Sequence, residues 1–170
     1  MSEEQIRRHR QQKDDFFKQH PNSPLTVDLK QDFDALSYFE YNPELIYILV
    51  PEPVDGDETV QIMTTTNEIR NYRKHGRITF RVDQTDASLT IYETPHGFFL
   101  PFVDTGDETY KAGRYLDLEP RADGAFLIDF NLAYNPYCVY NERYSCPLTP
   151  PENRLSVPIL AGEKVPEWKK

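Results

Sequence analysis

Nine side chains in the second half of the chain are of types that carry chemistry: Asp104, Glu108, Tyr110, Arg114, Asp129, Asn131, Asn135, Cys138 and Cys146. The planar fork of Arg114 suits a carboxylate or phosphate on a ligand. Asp104, Glu108 and Asp129 are then candidate acid–base groups, with Tyr110 or Tyr115 as hydrogen-bond donors. A structural reading competes with this one. A half-buried arginine needs a carboxylate, because an unpaired buried charge is costly. Asp104 or Asp129 would then be only its counter-ion, and Asn131 and Asn135 would satisfy loop backbone groups.

The two cysteines leave four chemistries open. The seven residues between Cys138 and Cys146 could loop back to a disulfide, which on a chain-entropy estimate stabilises by about 2.5 kcal/mol. Buried free thiols are the default in a reducing compartment. Zinc needs further ligands, and His9, His20, His75 and His96 lack ligand-type spacing. A cysteine nucleophile needs a base, for which His75 or His96 is the candidate. The acidic run Asp104-Thr105-Gly106-Asp107-Glu108 does not match a twelve-residue calcium loop. No metal is expected, and no cofactor is assigned.

The elements that must position these groups are mostly strands. An N-terminal helix is expected over residues 1–22, where Ser2 and Gln5 form a capping-box pattern. Ile6, Phe16 and Phe17 are its apolar anchors, and Pro21 with Pro24 ends it. Thr26 caps a short helical turn reaching Phe33. Residues 23–170 then read as a single antiparallel β domain. Strands are expected at 45–50, 60–65, 69–74, 77–82, 89–92, 98–103, 114–118, 126–131 and 154–160. His75-Gly76 is placed in a tight hairpin. Asp55-Gly56-Asp57, the stretch from Asp83 to Asp86, Thr105-Gly106-Asp107 and Asp123-Gly124 supply further turns. About nine short strands at even spacing predict an antiparallel β barrel or sandwich.

Side chains two residues apart share a strand face. Phe98, Leu100 and Phe102 therefore lead to Asp104, Leu118 and Leu116 to Arg114, and Leu127 to Asp129 and Asn131. If these three strands form a consecutive meander, Asp104, Arg114, Asp129 and Asn131 meet at one end of the sheet. The stretch from Asp129 to Asn153 leaves from that end with both cysteines, several prolines and little periodicity. A loop of that length in a compact domain carries function or is itself a built structure.

Composition narrows the partners. At 170 residues the chain can bury one core without covalent staples. Ten Phe and eleven Tyr against seven Gly favour pleated sheet. A formal net charge of −9 argues against nucleic acid, whose phosphates need clustered cations. No apolar run has the length of a membrane span, and the N-terminus lacks a signal peptide's apolar centre, so a cytoplasmic location is expected.

Three segments resemble one family. The first is Met63-Thr64-Thr65-Thr66 with Tyr72-Arg73 and Gly76. The second is Phe99-Leu100-Pro101-Phe102 with Asp104, Gly106, Glu108-Thr109-Tyr110 and Gly113-Arg114-Tyr115. The third runs from Asp129-Phe130-Asn131 through Ala133-Tyr134-Asn135-Pro136, Cys138, Tyr140 and Cys146-Pro147 to Pro150-Pro151-Glu152-Asn153-Arg154-Leu155 and Ala161-Gly162-Glu163-Lys164. Together they resemble the domain-of-unknown-function family numbered 1684. The resemblance implies no activity, cofactor or partner. It does imply that Cys138, Cys146, Asp104, Arg114, Asp129 and Asn131 belong to a family pattern.

Two functions are therefore expected to compete. In one, the chain binds a small anionic ligand in a polar pocket beside Arg114, with an enzymatic activity left open. In the other, a non-catalytic structural or protein-interaction module uses its Arg/Asp/Asn cluster only to order the 132–153 loop. A homodimer is compatible with the second. An Arg114 consumed by its own fold, with no cavity beside it, would favour the module.

Overall fold

The computed structural model describes residues 1–54 and 58–169. The expected turn at Asp55-Gly56-Asp57 lies outside the described residues. Helix α1 (Glu3–Gln19) starts at the anticipated capping box, in which Ser2 Oγ accepts the Gln5 N–H and Gln5 Oε1 accepts the Ser2 N–H. Helix α2 (Val27–Gln31) is capped by Thr26 and is shorter than the reach to Phe33 expected. Among the described residues seven strands follow: β1 (Ile46–Leu49), β2 (Thr59–Met63), β3 (Ile69–Val82), β4 (Thr85–Thr94), β5 (Gly97–Phe102), β6 (Arg114–Leu118) and β7 (Phe126–Asp129). No helix among the described residues is long and apolar enough to cross a membrane.

The strands make two antiparallel sheets. One has five strands in the order β2-β3-β4-β5-β6, and the other pairs β1 with β7. Among the described residues no barrel closes. The main core lies between the sheets, where Ile78 and Phe80 of β3, Leu89 and Ile91 of β4, Leu100 and Phe102 of β5, and Leu116 of β6 meet Phe126 and Ile128 of β7. The opposite face of the five-stranded sheet carries Ile62, Tyr72, Tyr92, Phe99 and Tyr115. On that side α1 and the long loop pack around Phe17, Val139 and Tyr140.

Three expectations about strands are corrected. His75-Gly76 is no hairpin, because β3 runs through it with a register shift between Lys74 and Gly76. The added residue flips the strand's parity, so Tyr72 is buried on one face and Ile78 on the other. Glycine is needed there for close approach: a Cβ would lie 2.6 Å from Pro51 Cβ and 2.9 Å from the Glu52 carbonyl oxygen. The meander also breaks after β6, since β7 pairs with β1. Finally, 154–160 is not a strand. Leu155, Val157 and Ile159 alternate into the core, but among the described residues the segment joins no ladder: one isolated bridge, Val103 to Arg154, is followed by a bond from the Thr105 N–H to the Val157 carbonyl and by side-chain bonds at Ile159.

That segment depends on Gly162, which sits at φ +76°; a Cβ there would meet the Ala133 carbonyl oxygen at 2.5 Å and that of Phe130 at 2.8 Å. Both neighbours are backbone and cannot swing aside. Gly162→Ala is expected to destabilise the fold by about 2–3 kcal/mol, combining left-handed strain with overpacking. Urea denaturation followed by circular dichroism would read the loss.

Candidate functional site

The parity argument brings Asp104 and Arg114 together and leaves Asp129 and Asn131 elsewhere. Arg114 is fully buried. Its Nη2 donates to Asp104 Oδ2 at 2.9 Å and to the Ile159 carbonyl at 2.7 Å. Its Nη1 donates to the carbonyls of Ala161 at 2.5 Å and Glu163 at 3.0 Å. Burial pulls the guanidinium pKa down, and the Asp104 carboxylate opposes that pull. Asp104 Oδ1 in turn accepts from the Gly106 N–H at 2.8 Å, the Thr109 hydroxyl at 3.0 Å and the Ile159 N–H at 3.3 Å. The acidic turn thus folds inward around its first carboxylate. The two terminal nitrogens of Arg114, expected to face an anion, hold the 159–163 segment in place.

The other candidates also tie backbone. Asp129 accepts the Met1 ammonium at 2.7 Å and the Asn131 N–H at 3.0 Å. The Asn131 amide both accepts from Asn42 N and donates to Asn42 O, each at 2.8 Å, as a strand residue would. Asn135 donates its N–H to Glu163 Oε2 and its Nδ2 to the Lys164 carbonyl, each at 2.8 Å. Glu108 lies on the surface, bonded to Lys164. Tyr110 is half-buried, and burial raises its pKa.

Sequence reasoning missed Glu163, which is almost wholly buried. Its Oε2 also accepts the Tyr140 hydroxyl at 3.1 Å, and its Oε1 pairs with Lys13 Nζ of α1 at 2.5 Å. One carboxylate therefore joins the helix, the loop and the C-terminal segment. Arg10 and Asp14 add to the helix's polar docking, through the Phe39 carbonyl and the Leu36 N–H respectively. No local signal marks Glu163 for this role, since its partners come from two distant stretches, the helix and the loop.

The open space lies on the other face of β6. Tyr115 and Asp117 point away from Arg114 and Leu116 into a cleft of about 720 Å³ beneath α1. Phe16, Lys13 and His9 of α1 wall one side, and Tyr134, Tyr137, Tyr144, Cys146 and Pro147 of the loop wall the other. A broader depression of about 1300 Å³ continues over β5 and β6 and shares Tyr115, Asp117, Tyr134 and Pro147. Tyr115 donates its hydroxyl to the Pro147 carbonyl, and Tyr134 donates to Asp117 Oδ2 at 2.8 Å. Lys13 Nζ stands 4.8 Å above the Tyr134 ring. Burial raises the pKa of Tyr115 and of Tyr134 far above the usual phenol value, so both remain neutral donors.

The loop wall is anchored at the β2–β3 turn. Thr65 N–H donates to the Cys146 carbonyl at 2.9 Å, the Cys146 N–H returns to Thr65 Oγ1 at 3.1 Å, and Leu148 N–H reaches the Met63 carbonyl at 2.8 Å. Both cysteines are free thiols and both are buried. Among the described residues no group of three His, Cys, Asp or Glu is arranged to hold a metal ion.

The family model described as "protein of unknown function (DUF1684)" matches residues 31–164. The chain belongs to this family. Among solved structures it is similar to the solution NMR structure of an uncharacterised protein from Haloarcula marismortui. The two are 34% identical, with a TM-score of 0.70 over 95% of this chain and 93% of that one. No curated protein matches. In DUF1684 terms, the matched span contains the Arg114 cluster, the loop and the cysteines, but not α1. The helix that walls the cleft from above therefore lies outside it.

Proposed function

We propose that the chain is a binding protein for a small planar molecule held in the cleft between α1 and the outer face of β6. The observation that carries this reading is the convergence of Phe16, Tyr115, Tyr134, Tyr137 and Tyr144 on one cavity of about 720 Å³. Ligand sites are concave, mainly apolar and furnished with a few fixed polar groups. Aromatic faces favour flat partners through offset and edge contacts. Both terminal nitrogens of Arg114 are engaged within the fold and its Nε is buried, so the ligand proposed here is held in the cleft. In the cleft, Lys13 is already paired with Glu163. Asp117 is exposed and fixed from one side by Tyr134, so it suits a hydrogen-bond donor on the ligand's edge.

The non-catalytic reading of the Arg/Asp/Asn cluster is supported by the way Arg114 and Asp104 hold residues 159–163, to which Asn135 then ties the loop through Glu163 and Lys164. The two readings fit one design, in which the cluster fixes the loop that walls the cleft.

Indole is a direct probe, since its ring can stack and its N–H can donate. Titration followed by NMR is expected to give saturable shifts at Tyr115, Tyr134 and Tyr144. Tyr134→Ala should weaken binding at least fivefold while leaving the backbone spectrum folded. Shifts that never saturate, or an affinity unchanged in Tyr134→Ala, would overturn the proposal.

A further inference from the structure

The cysteines are not needed to bind a planar ligand, yet their placement is asymmetric in a way that matters for thiol chemistry. Cys146 lies on the cleft wall. Cys138 sits behind it on the one-turn segment Tyr137–Val139 and takes no part in lining the cleft. Cys146 Sγ accepts the backbone N–H of Cys138 at 3.3 Å, so the two residues already adjoin. The thiols also differ electrically. The Cys138 thiol, backbone N–H groups of Cys138 and Tyr137, and the charge of Arg70 together favour the thiolate at Cys146, whose pKa falls below the ordinary thiol value although burial opposes it. The Cys138 pKa is raised, first by the Cys146 sulfur and then by burial. Thiolate character and access decide which cysteine of a pair reacts.

We propose that Cys146 and Cys138 form a redox-active dithiol that reduces a small organic disulfide entering through the cleft, Cys146 attacking and Cys138 resolving. In the first step the Cys146 thiolate attacks one sulfur of R–S–S–R′. A bond forms between Cys146 Sγ and RS, the R–S–S–R′ bond breaks, and R′S⁻ leaves to take a proton from solvent. In the second step Cys138 gives its proton to solvent and attacks Cys146 Sγ. The protein disulfide forms as RS⁻ leaves and is protonated. The protein loses two electrons and two protons, and the substrate becomes two thiols. A thiol reductant restores the pair by the same exchange run in reverse. This chemistry uses the cleft only as an entry route and stands apart from the binding of a planar ligand.

The test uses bis(2-hydroxyethyl) disulfide on the full chain, with acid quenching and mass spectrometry. Wild-type protein is expected to lose two hydrogens, and peptide mapping should place the new bond between Cys138 and Cys146. Cys138→Ser should accumulate the mixed disulfide on Cys146, and Cys146→Ser should react at least tenfold more slowly. Brief iodoacetamide labelling of the unmodified wild type, which depends on no variant folding, should mark Cys146 at least tenfold faster than Cys138. Equal labelling of the two thiols would overturn the assignment of roles. A wild type that stops at the mixed disulfide, or that reacts only when unfolded in urea, would overturn the dithiol itself.

Discussion

Arg114→Met is expected to lower the stability of the chain by about 3–5 kcal/mol, the range for removing one partner of a buried ion pair. At this chain length that corresponds to a fall in Tm of roughly 6–20 °C. Methionine fills much of the arginine's volume, so a cavity contributes little. What remains is the buried carboxylate of Asp104 and three carbonyls, at Ile159, Ala161 and Glu163, that lose their donors. The double variant Arg114→Met with Asp104→Leu separates these contributions. An ion pair acting alone would let the double variant recover to near wild type, because apolar replacements of buried pairs are often neutral. Here the carbonyls stay unpaired, so recovery should be incomplete by at least about 2 kcal/mol. Urea melts of both proteins decide the matter. A single variant within 1 kcal/mol of wild type would show that the guanidinium is not the clasp described above.

Asn153 should be nearly as sensitive, for a different reason. Strands β4 and β5 pair only from Tyr92–Phe99 to Thr94–Gly97, and Pro101 farther along has no N–H to continue the ladder. The Asn153 side chain takes the missing place. Its Oδ1 accepts the Thr90 N–H at 2.8 Å, and its Nδ2 donates to the carbonyls of Thr90 at 2.8 Å and Pro101 at 2.7 Å. Asn153→Leu removes all three bonds and is expected to cost about 3 kcal/mol, since each buried group left unpaired costs about 1–3 kcal/mol and some will relax. Asn153→Asp sharpens the test. It turns the two-bond donor into an acceptor facing two carbonyls, so the folded state should favour the protonated acid and raise its pKa above the unfolded value near 3.9. The folded state then binds more protons than the unfolded one, and stability falls as pH rises through that interval. The Asp variant should therefore be closest to wild type near pH 4 and weakest at pH 7. A pH-independent deficit would contradict the donor role assigned to Nδ2.

Much of the fold was legible because local periodicity reports burial. The capping box, the 114–118 strand and the pairing of Asp104 with Arg114 all follow from short-range spacing. The errors share one physical origin. Alternation at Leu155, Val157 and Ile159 says which side chains enter the core, but not whether the backbone finds a ladder. Likewise β7 carries no mark that its partner is β1, some eighty residues earlier, instead of β6 nearby. The cleft escaped notice because parity followed Arg114 and Leu116, whereas Tyr115 and Asp117 face the opposite way. Its upper wall belongs to α1, whose position over the sheet depends on Lys13 meeting Glu163, 150 residues distant in sequence. A helix period cannot encode that meeting. A glycine beside a histidine suggests a turn, whereas at Gly76 the demand is proximity to Pro51 and Glu52.

The carbonyls that satisfy Arg114 lie 45 to 49 residues downstream of it. During synthesis at about 5–20 residues per second, the arginine is made roughly 2–10 s before its last acceptors exist. Throughout that interval the nascent chain holds a guanidinium with Asp104 as its only eventual partner available. The sheet's main core cannot seal over a charge in that condition, so its closure must wait for the segment that threads in last. A ribosome pause between residues 114 and 163 would lengthen the exposure of an aromatic-rich, half-built sheet. Synonymous codon changes in that stretch should therefore alter the soluble yield more than equal changes upstream of residue 46.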